Sequence, residues 1–271
     1  MVSKGSGGGA IAYPDPIRLR AATDVSIGTT AFFRNRSLLK VLCERMSALP
    51  SGRINILVHA GSIGAEAWSL AVATALDPRL AEREIVVTVT DIEAQFLDYA
   101  RIGQYPREIL SGMTSSEREF FTPLSDTTVA VRDDLRSRVR FLPASSVEDF
   151  RSSEMFDVVM LLNVLLYMPG ERQSQVLDQV ALYNRHLLVT TGFHFDRIKH
   201  DTLRNGYRPI STQARAIHDG WLDRRREKSS HDEVIPGRIF HPWSLPPFEE
   251  IADYEYIYCA IFEKSAVPTN L

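Results

Sequence analysis

The sequence predicts an α/β fold: a doubly wound, mostly parallel sheet with helices on both faces. Two observations carry this. From residue 54 onward, short β-rich runs alternate with helical patterns, and several of the runs are apolar throughout rather than at every second position. Continuously apolar strands are buried on both faces, as happens when crossover helices cover a parallel sheet.

In order, INILVHAG (54–61) predicts a strand and AEAWSLAVATAL (65–76) a helix. IVVTVTD (85–91) predicts a second strand, and EAQFLDYARIG (93–103) a helix stopped at Gly103. VRFLPAS (139–145) is the third strand, and MFDVVMLLNVLLY (155–167) holds the fourth. GERQSQVLDQVALYN (170–184) is a helix and HLLVTTGF (186–193) the fifth strand. Residues 104–138 read as short helices capping the sheet. Residues 194–250 are polar, with a helical patch around Arg215–Arg225 and a basic run, RRREK, at 224–228. EIADYEYIYCAIFEK (250–264) alternates and reads as a late strand, with Tyr254, Tyr256 and Tyr258 packed on one face.

A chain of 271 residues, 44% hydrophobic, fits one large α/β domain or two small ones. We divide it into a flexible leader and N-terminal segment, 1–28, and one domain, 29–271, in which 194–250 serves as an acceptor-site insertion or lid. Lysine and arginine number 31 against 34 acidic residues, a net charge of −3. That balance gives no pull toward nucleic acid or an acidic membrane, and the basic run is most simply a solvated helix face. Neither a bilayer-length apolar run nor a signal peptide is expected. Two cysteines far apart, Cys43 and Cys259, suggest a reducing compartment such as the cytosol. No histidine has metal-ligand spacing, so no metal is expected.

Ligands of open α/β sheets bind at the carboxyl ends of the strands. The first strand runs into His59-Ala60-Gly61-Ser62-Ile63-Gly64-Ala65-Glu66. Gly61 and Gly64 would let backbone approach a ligand, beside the free N–H groups of the next helix. The loop is neither G-x-G-x-x-G nor a phosphate loop, so it suits a nucleoside better than a diphosphate. Asp91, ending the second strand, can accept both hydroxyls of a ribose or cap the following helix. A nucleoside without a diphosphate points to S-adenosylmethionine.

Four stretches then resemble the chemotaxis receptor (CheR-type) glutamate methyltransferases, in order over about residues 29–193. Thr30-Ala31-Phe32-Phe33-Arg34 is similar to the family's T-x-F-F-R. Residues 60–71, AGSIGAEAWSLA, are similar to A-G-C-S-T-G-E-E-P-Y-S-L-A. Thr90-Asp91-Ile92 with Ala100, Gly103 and Tyr105 is similar to T-D-I followed by A-x-x-G-x-Y. Phe156-Asp157 with Asn163-Val164-Leu165-Leu166-Tyr167 resembles F-D-x-I and R-N-V-L-I-Y.

The resemblance implies a seven-stranded class I methyltransferase (Rossmann-like) sheet with helical insertions, binding S-adenosylmethionine. It implies Arg34 near the methionine carboxylate or the acceptor, Gly61 and Gly64 around the methionine and ribose, and Asp91 on the ribose. Asn163 would face the methionyl end and Tyr167 the transferring methyl. Ser62, Glu66, Ile92, Ser145 and Ser146 complete the cofactor-binding candidates; Arg34, Asn163 and Tyr167 are the catalytic ones. The chain departs from the pattern at Ala65, where the family has glutamate, and at Leu162, where it has arginine. Ser145-Ser146 stand for its N-L pair, and the family's helical regulatory domain is expected to be largely missing.

Each candidate also has a structural reading. Arg34 could pair at the surface, Glu66 could serve the dipole of its helix, and Asn163 and Tyr167 could be satisfied strand-end groups. His194, beside Asp196, is a solvated loop histidine or a group facing the pocket. The expected function is an S-adenosylmethionine-dependent transferase acting on a small molecule. The alternatives are a protein-carboxylate methyltransferase with a receptor-like partner, an enzyme acting on the methionine arm of the cofactor itself, and a cofactor-binding regulatory module.

Overall fold

The computed structural model describes residues 30–50, 52–165, 168–191, 198–228 and 248–265. The chain enters through α1 (Arg36–Ser47), which Asn35 caps by accepting from the Leu38 amide at 3.0 Å. Strand β1 (Arg53–Val58), helix α2 (Ala65–Leu76), strand β2 (Glu84–Val89) and helix α3 (Ala94–Ile102) follow as the sequence predicts. Gly103 ends α3 in the left-handed region, φ 65°.

Residues 104–138 differ from expectation. They form β3 (Gln104–Pro106), α4 (Ser115–Arg118), β4 (Phe121–Pro123), β5 (Thr128–Val131) and α5 (Asp133–Arg136). The strands make a separate antiparallel sheet in the order β3-β5-β4. Strands of three or four residues are too short for a period to register, and β3 and β4 each end on proline, which stops the ladder. Arg36 at the start of α1 anchors this unit, donating to both carboxylate oxygens of Glu117 and, at 2.7 Å, to the Gly112 carbonyl.

The main sheet resumes with β6 (Val139–Phe141), β7 (Phe156–Leu161), α6 (Gly170–Tyr183) and β8 (Asn184–Thr190). Then come α7 (Ile198–Arg204), β9 (Tyr207–Pro209), α8 (Ala214–Lys228), α9 (Tyr254–Tyr258) and β10 (Ile261–Lys264). The region read as an insertion or lid therefore contributes a helix and an edge strand to the sheet domain, while α8 contains the helical patch expected around Arg215–Arg225. The late strand is shorter than expected. Tyr254, Tyr256 and Tyr258 lie on α9, not on one strand face, and Tyr254 and Tyr258, one turn apart, both meet Phe248.

The sheet order is β6-β2-β1-β7-β8-β10-β9. Strands β6, β2, β1, β7 and β8 are parallel, and β10 inserts antiparallel between β8 and β9. This is the seven-stranded class I methyltransferase sheet. All six residues of β7 are buried: the apolar run Val158–Leu161 as expected, and Asp157 with its carboxylate accepting from the Asn55 amide at 2.8 Å. One face packs Ile54, Ile56 and Val58 against α1 and α2; the other packs Leu57, Val159 and Leu188 against α6. The sequential order of the strands reverses between the parallel neighbours β1 and β7, so their carboxyl ends flank the crevice where a ligand belongs. No helix among the described residues is long and apolar enough to cross a membrane.

Candidate active site at the strand ends

Strand β1 leaves the sheet at Val58, and the chain turns through Ala60 (φ 50°), Ser62 (φ 48°) and Gly64 (φ 86°). Two non-glycine residues in the left-handed region within one short loop store strain of the kind that gathers at functional sites. The glycines are needed for an unexpected reason. A Cβ on Gly61 would lie 2.2 Å from Val89 Cγ1, and one on Gly64 would lie 2.9 Å from both Ala100 Cβ and Trp68 Nε1. Close packing on β2, α2 and α3 therefore demands both glycines, and at Gly64 the left-handed backbone does so as well.

Asp91 follows β2 and is 5% exposed. Its Oδ2 accepts from the Ser62 amide at 2.7 Å and its Oδ1 from the Glu93 amide at 2.9 Å. Burial pushes its pKa up, against the two amide hydrogen bonds, and the negative charges of Glu93 and Glu66 add to the rise. The capping residue of α3 is Glu93, so Asp91 braces the turn before the helix and the loop after β1 together. Ile92 turns outward and is 62% exposed, an apolar side chain left in the open beside the carboxylate.

On the other side of the loop, Phe33 (φ 48°) donates its amide to Ser69 Oγ at 2.8 Å, and this fixes Arg34 over the start of α2. Arg34 Nη2 lies 2.6 Å from Glu66 Oε1, with both side chains nearly buried. Thr30 donates to the second Glu66 oxygen at 2.5 Å. The Asn163 amide presents its oxygen to the donor-only guanidinium, 2.5 Å from Nη2 and 3.1 Å from Nη1. Asn163 itself is left-handed, φ 55°, and its backbone amide donates to Thr191 Oγ1 at 2.8 Å. The ring of Trp221, from α8, covers the guanidinium at 5.1 Å.

The structure thus joins Arg34, Glu66 and Asn163 in one cluster, and Ser62 and Asp91 in another, on the two flanks of the loop after β1. Ser145 donates its amide to the Asp91 carbonyl at 2.9 Å. The Ser146 hydroxyl is engaged with Asp149 at 2.7 Å and braces its own turn. Tyr167 and His194 lie outside the described residues. Sequence reasoning missed Thr30, Thr191 and Trp221 as parts of the site. Thr30 sits inside a motif that was read for its arginine, whereas nothing local marks Trp221. Among the described residues no group of three metal-ligating side chains gathers.

The family described as CheR methyltransferase, SAM binding domain, matches residues 28–190. The chain belongs to this family. A chemotaxis protein methyltransferase of Vibrio anguillarum is 30% identical over 174 residues, 61% of this chain and 63% of that protein. The Klebsiella aerogenes protein of the same name is 30% identical over 187 residues, 65% of this chain and 63% of its own. The match thus spans less than two thirds of these relatives. Among solved structures, the magnesium protoporphyrin IX methyltransferase of Synechocystis PCC 6803 with bound S-adenosylmethionine is similar at a TM-score of 0.40. It is 14% identical, over 65% of this chain and 70% of that one.

The cofactor of this CheR-family domain is S-adenosylmethionine, and the residues present fit it. Among the described residues, few buried side-chain polar atoms lack a partner, and Arg34 Nε and Ser62 Oγ are two of them. Buried groups are normally satisfied, so each is available to a polar ligand, one on either flank of the loop.

Proposed function

We propose that the chain is an S-adenosylmethionine-dependent methyltransferase whose acceptor is a carboxylate on a protein. The observation that carries the reading is the pairing of two clusters, Asp91 with Ser62 and Arg34 with Glu66 and Asn163, across one loop. Asp91 would accept the ribose hydroxyls, with exposed Ile92 against the base. Arg34 and Glu66 form a complementary couple for an amino-acid head, the guanidinium for its carboxylate and the carboxylate for its ammonium. Asn163 would hold the guanidinium toward the methionyl side; the resemblance assigns Tyr167, outside the described residues, to the transferring methyl, while Gly61 and Gly64 would shape the loop and Ser145 and Ser146 bound the nucleoside end.

When bound, S-adenosylmethionine supplies a methyl on a positively charged sulfur, open to in-line displacement. What the protein contributes is positioning. A carboxylate acceptor is already ionised at neutral pH, so no side chain needs to remove a proton. The relatives' name, chemotaxis protein methyltransferase, favours a protein acceptor over a small molecule. Free, buried Cys43 and Cys259 are in keeping with action in the cytosol.

One observation favours a small acceptor as a second reading. A shallow opening beside Arg34 is walled by Leu162 and Met160, with leucine where the family pattern has arginine. Incubation with S-adenosylmethionine and candidate acceptors, read by mass spectrometry, tests all readings. Base-labile methylation of a protein with release of S-adenosylhomocysteine is the expected result. A methylated small molecule selects the second reading, and methylthioadenosine formed without acceptor would indicate chemistry on the methionine arm. Absence of binding to either nucleoside defeats the proposal.

A further inference from the structure

Helix α8 lies beyond the stretch that matches the family, yet it closes the Arg34 cluster. Asn35, 4% exposed, bolts it down: its side-chain nitrogen donates to the Ile217 carbonyl at 2.7 Å while its oxygen caps α1. Gly220 makes the contact tight, since a Cβ there would lie 3.0 Å from Asn35 Oδ1. One residue further on, Trp221 is 6% exposed and stands over the guanidinium at 5.1 Å. Asn35 is thus the immediate neighbour of Arg34 in the chain and also the clamp for the helix that covers it.

Glu66 and Asn163 engage the two terminal nitrogens at the edge of the guanidinium, and the Trp221 ring is the group that meets its face. An aromatic face within about 6 Å supplies a restraint and an attraction for the cation. Arginine otherwise carries much rotamer freedom. We propose that Trp221 is a positioning residue, keeping Arg34 aimed at the methionyl end of the cofactor. The proposal rests on the reading of Arg34 as the group that receives that end.

The test pairs a measurement that needs no ligand with one that does. In the free protein, the Arg34 Nε–H resonance, assigned by its loss in Arg34→Lys, is expected to lie upfield through the indole ring current. It should move to an ordinary position in Trp221→Leu. Calorimetry then compares S-adenosylhomocysteine with methylthioadenosine, which lacks the amino-acid head. Trp221→Leu should weaken S-adenosylhomocysteine about tenfold, the cost of fixing a freed arginine rotamer on binding, leave methylthioadenosine unchanged, and be largely rescued by Trp221→Phe. An unshifted wild-type resonance overturns the contact. Unchanged S-adenosylhomocysteine affinity, or equal loss for both ligands, overturns the positioning role. A wild-type protein that binds neither ligand, with the resonance shifted, defeats the cofactor reading of Arg34 and the positioning role with it.

Discussion

The Ser62 amide donates to Asp91 Oδ2 at 2.7 Å, which makes the loop after β1 and the end of β2 a single unit. The second oxygen is braced by Glu93, so the carboxylate is oriented before any ligand arrives. Pre-organisation of this kind lowers the cost of binding.

Asp91→Ala should weaken S-adenosylhomocysteine by about 2–4 kcal/mol, the worth of two charge-assisted hydrogen bonds. Asp91→Asn, which keeps one acceptor oxygen, should recover part of this. Because burial raises the Asp91 pKa, wild-type affinity should decline on acidification sooner than the ordinary aspartate value near 3.9 would dictate. Titration calorimetry across pH reads both effects; undiminished binding by a folded Asp91→Ala protein would return the residue to bracing its turn.

Glu66 answers Arg34 at 2.6 Å, with 12–13% of each side chain exposed. Glu66→Gln removes the charge that an ammonium would meet while keeping an acceptor for Thr30. S-adenosylhomocysteine affinity should fall by about 1–2 kcal/mol, and methylthioadenosine affinity should stay within the error of the measurement. A parallel loss for both ligands would contradict the assignment of Glu66 to the amino-acid end.

Much of this site was legible in the sequence, though not every physical reason behind it was. β7 announced itself because a strand buried on both faces is apolar on both, as Val158–Leu161 are, and Asp91 because a carboxylate ending such a strand needs a partner. Gly61 and Gly64 marked the loop, but the packing of Val89, Trp68 and Ala100 behind it is a further requirement that sequence spacing does not reveal. The three-residue strands β3 and β4 were too short to show a period. In 254–258, aromatics at every second position fitted a strand as well as a helix, and packing on Phe248 decided it. Trp221 reaches Arg34 only because a helix from the far end of the chain docks on α1, a tertiary contact with no local signature.

Gly61→Ala tests the packing explanation directly. Its methyl would collide with Val89, which is fully buried, and overpacking of this kind costs about 1–3 kcal/mol. Combining it with Val89→Ala removes the obstacle, so the double variant should be more stable than the two single losses added together, with a coupling of about 0.5–3 kcal/mol. Urea unfolding of the four proteins measures it. Strict additivity would mean that Val89 is not what excludes a side chain at position 61.

His59 gives a stability prediction with a definite sign. Its ring is 2% exposed, stands edge-on to Phe150 at 4.9 Å, and shares a 3.0 Å hydrogen bond between Nε2 and the Tyr183 hydroxyl. Nδ1 has no partner, and burial pushes the pKa down to about 3. In the unfolded chain a histidine titrates near 6.5. Between those values the unfolded state binds a proton that the folded state refuses, so stability is full above about pH 6.5. It then falls by up to about 1.4 kcal/mol for each pH unit lost below that. His59→Phe abolishes this titration but strands the Tyr183 hydroxyl, at a cost of about 1–3 kcal/mol. The variant should therefore be less stable than wild type at pH 8, and the difference should shrink on acidification and reverse where the histidine's loss exceeds that cost. Urea unfolding of both proteins at pH 8, 6.5 and 5 decides the matter, because every other titrating group is common to the two and cancels in the difference. Parallel pH profiles would mean that the imidazole takes up its proton in the folded state.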